Sequence, residues 1–133
     1  MTKLRAHIVS RGRAEGEALV TSMPISFLGS IDPKTGIVIE KGHELAGQSI
    51  KGKVLVFPGG KGSTVGSYVI YQLKKNGAAP SAMINVKAEP IVAVGAIISD
   101  IPLVDRVEKN PVIAVKTGDK VLVDAIVGSV EIL

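Results

Sequence analysis

Cysteine and tryptophan are absent from the 133 residues, and aromatic side chains make up only 3% of them. Without thiols the chain forms no disulfide and offers no thiolate to a zinc or iron–sulfur centre, so any such metal has to be held elsewhere. Few aromatics leave little to stack on bases, and no basic run concentrates the formal net charge of +4. The signature of a nucleic-acid binder is therefore missing. No apolar stretch reaches the length of a membrane span, and Met1 to His7 holds no signal-like run. These absences predict a soluble, cytoplasmic protein whose partners include neither membrane nor nucleic acid.

What the chain does have is valine, isoleucine, leucine and alanine, a composition that favours strands covered by a few helices. Its length suits one domain spanning residues 1–133, large enough to bury a core but short for a self-sufficient enzyme. A partner is expected.

Extended segments are predicted at Arg5–Ser10 and Gly16–Ser22, separated by the polar Arg11–Glu15. The turn Asp32-Pro33-Lys34-Thr35-Gly36 precedes a predicted strand Ile37–Glu40, and Glu44–Ala46 suits one turn of helix. A strand Lys53–Phe57 then runs into a helix over Thr64–Asn76, whose apolar residues recur three and four apart and whose end is marked by Asn76-Gly77. Strand Ser81–Val86, a helix opened by Pro90 and reaching Ile98, and strand Pro102–Val104 repeat the unit. Alternation predicts strands at Val112–Val115, Lys120–Ile126 and Val130–Leu133, with a bend at Gly128. The fold class is α/β, a central, partly parallel sheet or barrel with flanking helices, its terminal strands antiparallel.

Chemistry concentrates at Pro58-Gly59-Gly60-Lys61-Gly62-Ser63-Thr64, between strand and helix. Glycines allow close approach to the backbone, and the first turn of a helix presents unpaired amides and partial positive charge, which together favour an anion. The loop is not a nucleotide-binding P-loop, because Gly62 separates Lys61 from Ser63 and the motif's earlier glycine is missing. Ser63 is the natural N-cap or first residue of the helix and the candidate base or nucleophile. Gly60, Lys61, Gly62 and Thr64 are the candidate anion contacts. The bland alternative is a tight strand-to-helix turn. His7 and His43 lack partners at metal-ligand spacing and read as surface or core residues. Arg5, Arg11 and Arg13 read as solvated strand ends, and Glu89 and Asp100 as loop or cap residues, with Glu89 at the same sheet end as Ser63.

Taken together, Gly16-Glu17-Ala18-Leu19-Val20, Ser26-Phe27-Leu28-Gly29, Ile31-Asp32-Pro33-Lys34-Thr35-Gly36, Gly47-Gln48-Ser49-Ile50, Gly52-Lys53-Val54-Leu55-Val56, Gly59-Gly60-Lys61-Gly62-Ser63 and Glu89–Ala96 resemble the swivel domain, or small subunit, of the aconitase X family. The resemblance spans most of the chain in order. It implies a swivelling β/β/α domain that works with a separate, cysteine-bearing large subunit in a heterodimer or larger assembly. The large subunit is expected to carry an iron–sulfur cluster, with no cofactor on this chain, and Ser63 is by motif position the catalytic serine. Free-standing small subunits of this kind are typical of archaea. There the assembled hydro-lyase converts (R)-5-phosphomevalonate, a small anionic phosphorylated hydroxy acid, to trans-anhydromevalonate 5-phosphate in a modified mevalonate pathway of isoprenoid biosynthesis. Two other readings stay open: dehydration of a different hydroxy acid such as hydroxyproline, and a non-catalytic module whose glycine loop binds an anion or docks onto a larger protein.

Overall fold

The structure, a computed structural model, describes residues 2–133. Its strands are β1 (Thr2–Arg5), β2 (His7–Ser10), β3 (Arg13–Val20), β4 (Val54–Phe57), β5 (Ala82–Asn85), β6 (Leu103–Asp105), β7 (Lys120–Asp124) and β8 (Ser129–Ile132). Its helices are α1 (Phe27–Ser30), α2 (Gly66–Lys75), α3 (Pro90–Ile98) and α4 (Pro111–Ala114). The strands form one sheet in the order β1-β8-β7-β3-β4-β5-β6-β2. The fold is the expected mixed α/β architecture, parallel across β3-β4-β5-β6 and antiparallel at both flanks.

The strands at the two ends of that order, β1 and β2, are consecutive in the chain with only Ala6 between them. One ribbon thus joins both edges and closes a barrel-like layer. Closure suits a chain this rich in valine, because it leaves few edge groups unpaired. At the junction the Ala6 amide donates to the Gly128 carbonyl at 2.9 Å. A side chain on residue 128 would meet the Ala6 carbonyl at 2.8 Å, which explains the glycine at φ +91.

Parallel neighbours need crossovers, and α2 and α3 supply them between β4 and β5 and between β5 and β6. Alternation along the central strands divides the core. Leu55 and Phe57 face α2 and α3 together with Met83 and Leu103, whereas Val54, Val56, Ile84 and Val104 face the cluster built with Val121, Val123 and Val130. All four residues of β4 are buried, as expected of a strand covered on both faces.

The structure departs from the sequence reading at identifiable places. Arg5–Ser10 is two strands with different partners, and β3 begins at Arg13, inside the segment expected to turn. Val112–Val115 is not a strand. Asn110 caps α4 by accepting from the Val112 amide at 3.1 Å and Pro111 sits at the first helical position, so local end signals overrode β-branched composition. Ile37–Glu40 makes only isolated bridges, Ile31 to Val38 and Ile37 to Ser49. In the β7–β8 hairpin, Asp124 Oδ1 accepts from the Ile126 and Val127 amides at 3.0 and 3.1 Å, and these bonds hold its carboxyl below the usual carboxylate range. No helix among the described residues is long and apolar enough to cross a membrane.

Candidate active site at the glycine loop

The loops that leave β3, β4 and β5 gather at one edge, the carboxyl ends of the parallel strands, where open α/β sheets place their ligands. The loop after β4 is threaded between two neighbours. On one side it pairs with Ile25, whose amide donates to the Gly59 carbonyl and whose carbonyl accepts from the Lys61 amide, both at 3.2 Å. On the other lies the start of α3, where Glu89 accepts from the Ile91 amide at 3.0 Å and the Val92 amide at 2.7 Å. Glu89 is therefore a capping residue beside the loop.

This threading explains the glycines. A side chain on residue 60 would meet Glu89 Oε1 at 2.5 Å and Val92 Cγ2 at 2.6 Å. One on residue 62, which adopts φ +88, would meet Ser26 Oγ at 2.6 Å, and one on residue 59 the Lys87 carbonyl at 2.9 Å. The groups that approach the glycines within this chain are thus its own carboxylate, hydroxyl and carbonyl.

Ser63 is half-buried among exposed neighbours, Lys61, Gly62, Thr64 and Val65, so its hydroxyl lies at the surface and not in the core. It is not the residue that caps α2. The helix starts at Gly66 with Val65 in the cap position, and Ser63 stands two residues before that cap, its carbonyl accepting from the Gly66 amide at 3.0 Å. Three glycines, one of them (Gly62) at positive φ, delay the helix, where a periodicity argument extends it to Thr64. Ser63 Oγ accepts from the Val65 amide at 3.1 Å. The amides of Gly62, Ser63 and Thr64 find no acceptor among the described residues, so the stretch before α2 carries three free donors besides the Val65 amide bound to this hydroxyl.

Lys61 Nζ lies 3.9 Å from Glu40 Oε2, and Glu40 also accepts a bond from Ser30 Oγ. That bond and the Lys61 charge hold the Glu40 carboxyl below its ordinary range. Lys61 is half-exposed, at 48%, and its charge is shared with Glu40, which leaves the backbone amides as the stronger fixed donors at Ser63.

Sequence reasoning missed the contribution of residues 21–53. Ser26, Ser30 and Glu40 back the glycine loop from this excursion, and Glu44 ties its root by accepting from Thr21 Oγ1 and from the Ser22 amide at 2.6 Å. The available signal was the length of the connection, since long insertions in compact domains tend to be functional. His43 is buried at 4%, its Nδ1 accepting from the Leu45 amide and its Nε2 facing the Pro24 carbonyl, so it is a core residue. Arg5 and Arg13 pair with Glu108 and Asp124, and His7 with the buried Asp105.

The Thr21 and Ser22 bonds lower the Glu44 carboxyl from its ordinary value. A depressed folded-state value means stability present above the unfolded value and lost as pH falls through the folded one. Glu44→Gln is expected to cost about 1 kcal/mol at neutral pH, the low end for a charge-assisted bond on an exposed group. The difference from wild type should begin to shrink as the pH drops below the unfolded value of about 4.3 and disappear once the folded carboxyl is protonated. Urea unfolding at pH 7 and at pH 3 checks this.

With the geometry in place, comparison with known proteins gives one answer. The family model described as aconitase X swivel domain matches residues 3–132. A protein of Methanosarcina acetivorans named phosphomevalonate dehydratase small subunit is 67% identical over 131 residues, covering 98% of this chain and 91% of that one. One of the same name from Methanocella arvoryzae is 65% identical over 130 residues, covering 98% of each chain. A crystal structure of Thermococcus kodakaraensis aconitase X in its holo-form superposes with a TM-score of 0.95 at 59% identity, covering 100% of this chain and 99% of that one.

Proposed function

The chain belongs to the aconitase X swivel-domain family, and on that premise we propose that Ser63 is the proton acceptor of a dehydratase whose reaction centre lies on a second, larger subunit. The chain itself is the small subunit of a hydro-lyase that dehydrates (R)-5-phosphomevalonate to trans-anhydromevalonate 5-phosphate. We take residues 1–133 as a single swivel domain.

Loss of water from a β-hydroxy acid needs a base for a weakly acidic carbon-bound proton and an exit for the hydroxyl. Ser63 Oγ takes the proton from the carbon beside the carboxylate. The electrons of that C–H bond form the double bond, and the hydroxyl leaves the neighbouring carbon as hydroxide. Ser63 then releases the abstracted proton to it or to solvent, which completes the water and restores the deprotonated serine. A serine hydroxyl is a feeble base unless its deprotonated form is stabilised, and the observation that carries the proposal is the Val65 amide aimed at Ser63 Oγ. The unpaired amides of Gly62, Ser63 and Thr64, with Lys61 at the loop's outer side, add donors for the developing charge or for the substrate's anionic groups. Gly60 holds the loop against α3 and brings it to the surface.

The chain lacks cysteine, and among its described residues no group of three His, Asp or Glu side chains is placed to hold a metal ion. These residues do not fit an iron–sulfur cluster, so we assign any cluster to the large subunit.

Reconstitution tests the proposal. Neither subunit alone should dehydrate 5-phosphomevalonate, and the mixture should. Turnover by the large subunit alone would overturn the proposal, as would a mixture that turns over hydroxyproline but not the phosphorylated acid.

A further inference from the structure

Beside the glycine loop, a cavity of about 410 Å³ opens at the carboxyl ends of β4 and β5, between those strands and α4. Pro58, Val86, Val112 and Ile113 form its apolar wall, with Lys87 and Asn110 among the lining groups. Val86 and Ile113 are 39% and 74% exposed.

Small-molecule sites converge several free polar groups on a mostly enclosed ligand. Here the polar groups are already occupied: Asn110 Oδ1 caps α4, and the Ser22 amide donates to Glu44. The Lys87 ammonium and the Asn110 Nδ2 remain without a partner among the described residues, two groups rather than a convergent set. Near the opening, the Arg106 amide donates to the Val86 carbonyl at 3.1 Å, and Lys109 directly precedes the lining residue Asn110. Neither Lys87 nor Lys109 forms an ion pair among the described residues.

The wall is also continuous with the candidate active site. Pro58 begins the loop that carries Ser63, and its carbonyl accepts from the Val86 and Lys87 amides at 3.1 and 3.2 Å, locking the cavity wall to that loop. A partner brought against Ser63 arrives on this edge. We propose that the cavity is a docking socket for the large subunit, receiving an aliphatic side chain from a segment of that subunit flanked by carboxylates that meet Lys87 and Lys109. This rests on the reading of the chain as a small subunit whose Ser63 faces its partner.

The test uses the purified large subunit from the same organism and isothermal titration with small-subunit variants. Ile113→Glu and Val86→Glu set like charge against the partner's carboxylates at exposed positions, so the variants should keep the wild-type unfolding temperature within a few degrees. Each is expected to weaken assembly by about tenfold or more, as losing an interface anchor does, with kcat restored at saturating small subunit. Lys87→Glu is expected to weaken assembly and to lose part of its dependence on salt. Unchanged affinity in all three overturns the inference. Normal affinity with a raised KM overturns it too, because the cavity would then belong to the substrate. Ser63→Ala, titrated in parallel, keeps the two ideas apart: normal turnover with Ser63→Ala removes the catalytic reading whatever the socket variants do.

Discussion

Ser63→Ala is expected to lower kcat for dehydration by about 10²- to 10⁴-fold, the range lost with a general base. KM and the affinity for the large subunit should stay near wild type. The side chain is half-buried and its single bond, from the Val65 amide, lies at the surface, so deletion should change stability by only about 0.5 kcal/mol. A loss of turnover can then be read as lost chemistry. Steady-state kinetics on the assembled enzyme, with thermal unfolding as the control, checks both halves. An alanine variant that keeps more than about a tenth of wild-type kcat is incompatible with general-base catalysis by this residue.

The second large effect is structural. Gly60→Ala drives a methyl group towards Glu89 Oε1 and Val92 Cγ2, at 2.5 and 2.6 Å before relaxation. The loop must back away, or the cap of α3 must break. Overpacking and loss of a cap each cost in the range of one to a few kcal/mol, so we expect about 2–3 kcal/mol of destabilisation. That corresponds to a fall of about 10 °C in unfolding temperature for a chain of this size. Turnover should fall as well, because the same displacement moves Ser63. Gly42→Ala is the matched control. Residue 42 has φ +82, but a side chain there meets nothing within 4 Å, so it bears only the left-handed backbone penalty of about 1 kcal/mol and should leave turnover intact. Equal losses in the two variants would mean that contacts at Gly60 add nothing beyond backbone strain.

These contrasts show why part of the molecule was legible in the chain and part was not. β4, β5 and α3 announce themselves through local physics: a buried aliphatic run, or a proline at the first helical position behind an acidic cap. The mixed α/β class follows from their order. α4 was missed because Val112–Val115 suits a strand by composition, and only the Asn110–Pro111 start signal distinguishes a single turn of helix. Ser63 was singled out as a candidate from its loop and from the family resemblance, but the cap of α2 falls two residues later, at Val65.

Nothing local could have placed Ser26 against Gly62, or Glu40 beside Lys61. These contacts join segments separated in sequence, and isolated bridges rather than a named strand hold the excursion in place. The glycines illustrate the same limit. Sequence reasoning took them as room for a ligand, whereas Glu89, Val92 and Ser26 already crowd two of them from within the chain. The groups of the loop left without an internal partner are instead its amides at Gly62, Ser63 and Thr64.

The most direct test of a catalyst divided between two chains is competition. Ser63→Ala small subunit is titrated into a fixed, limiting amount of large subunit together with wild-type small subunit, and the rate of dehydration is followed. If Ser63 acts only in chemistry, the variant occupies the large subunit as well as wild type does. The rate should then fall in proportion to its mole fraction, reaching half when the two are equimolar. A rate that stays at its starting value while the variant demonstrably binds would contradict the account.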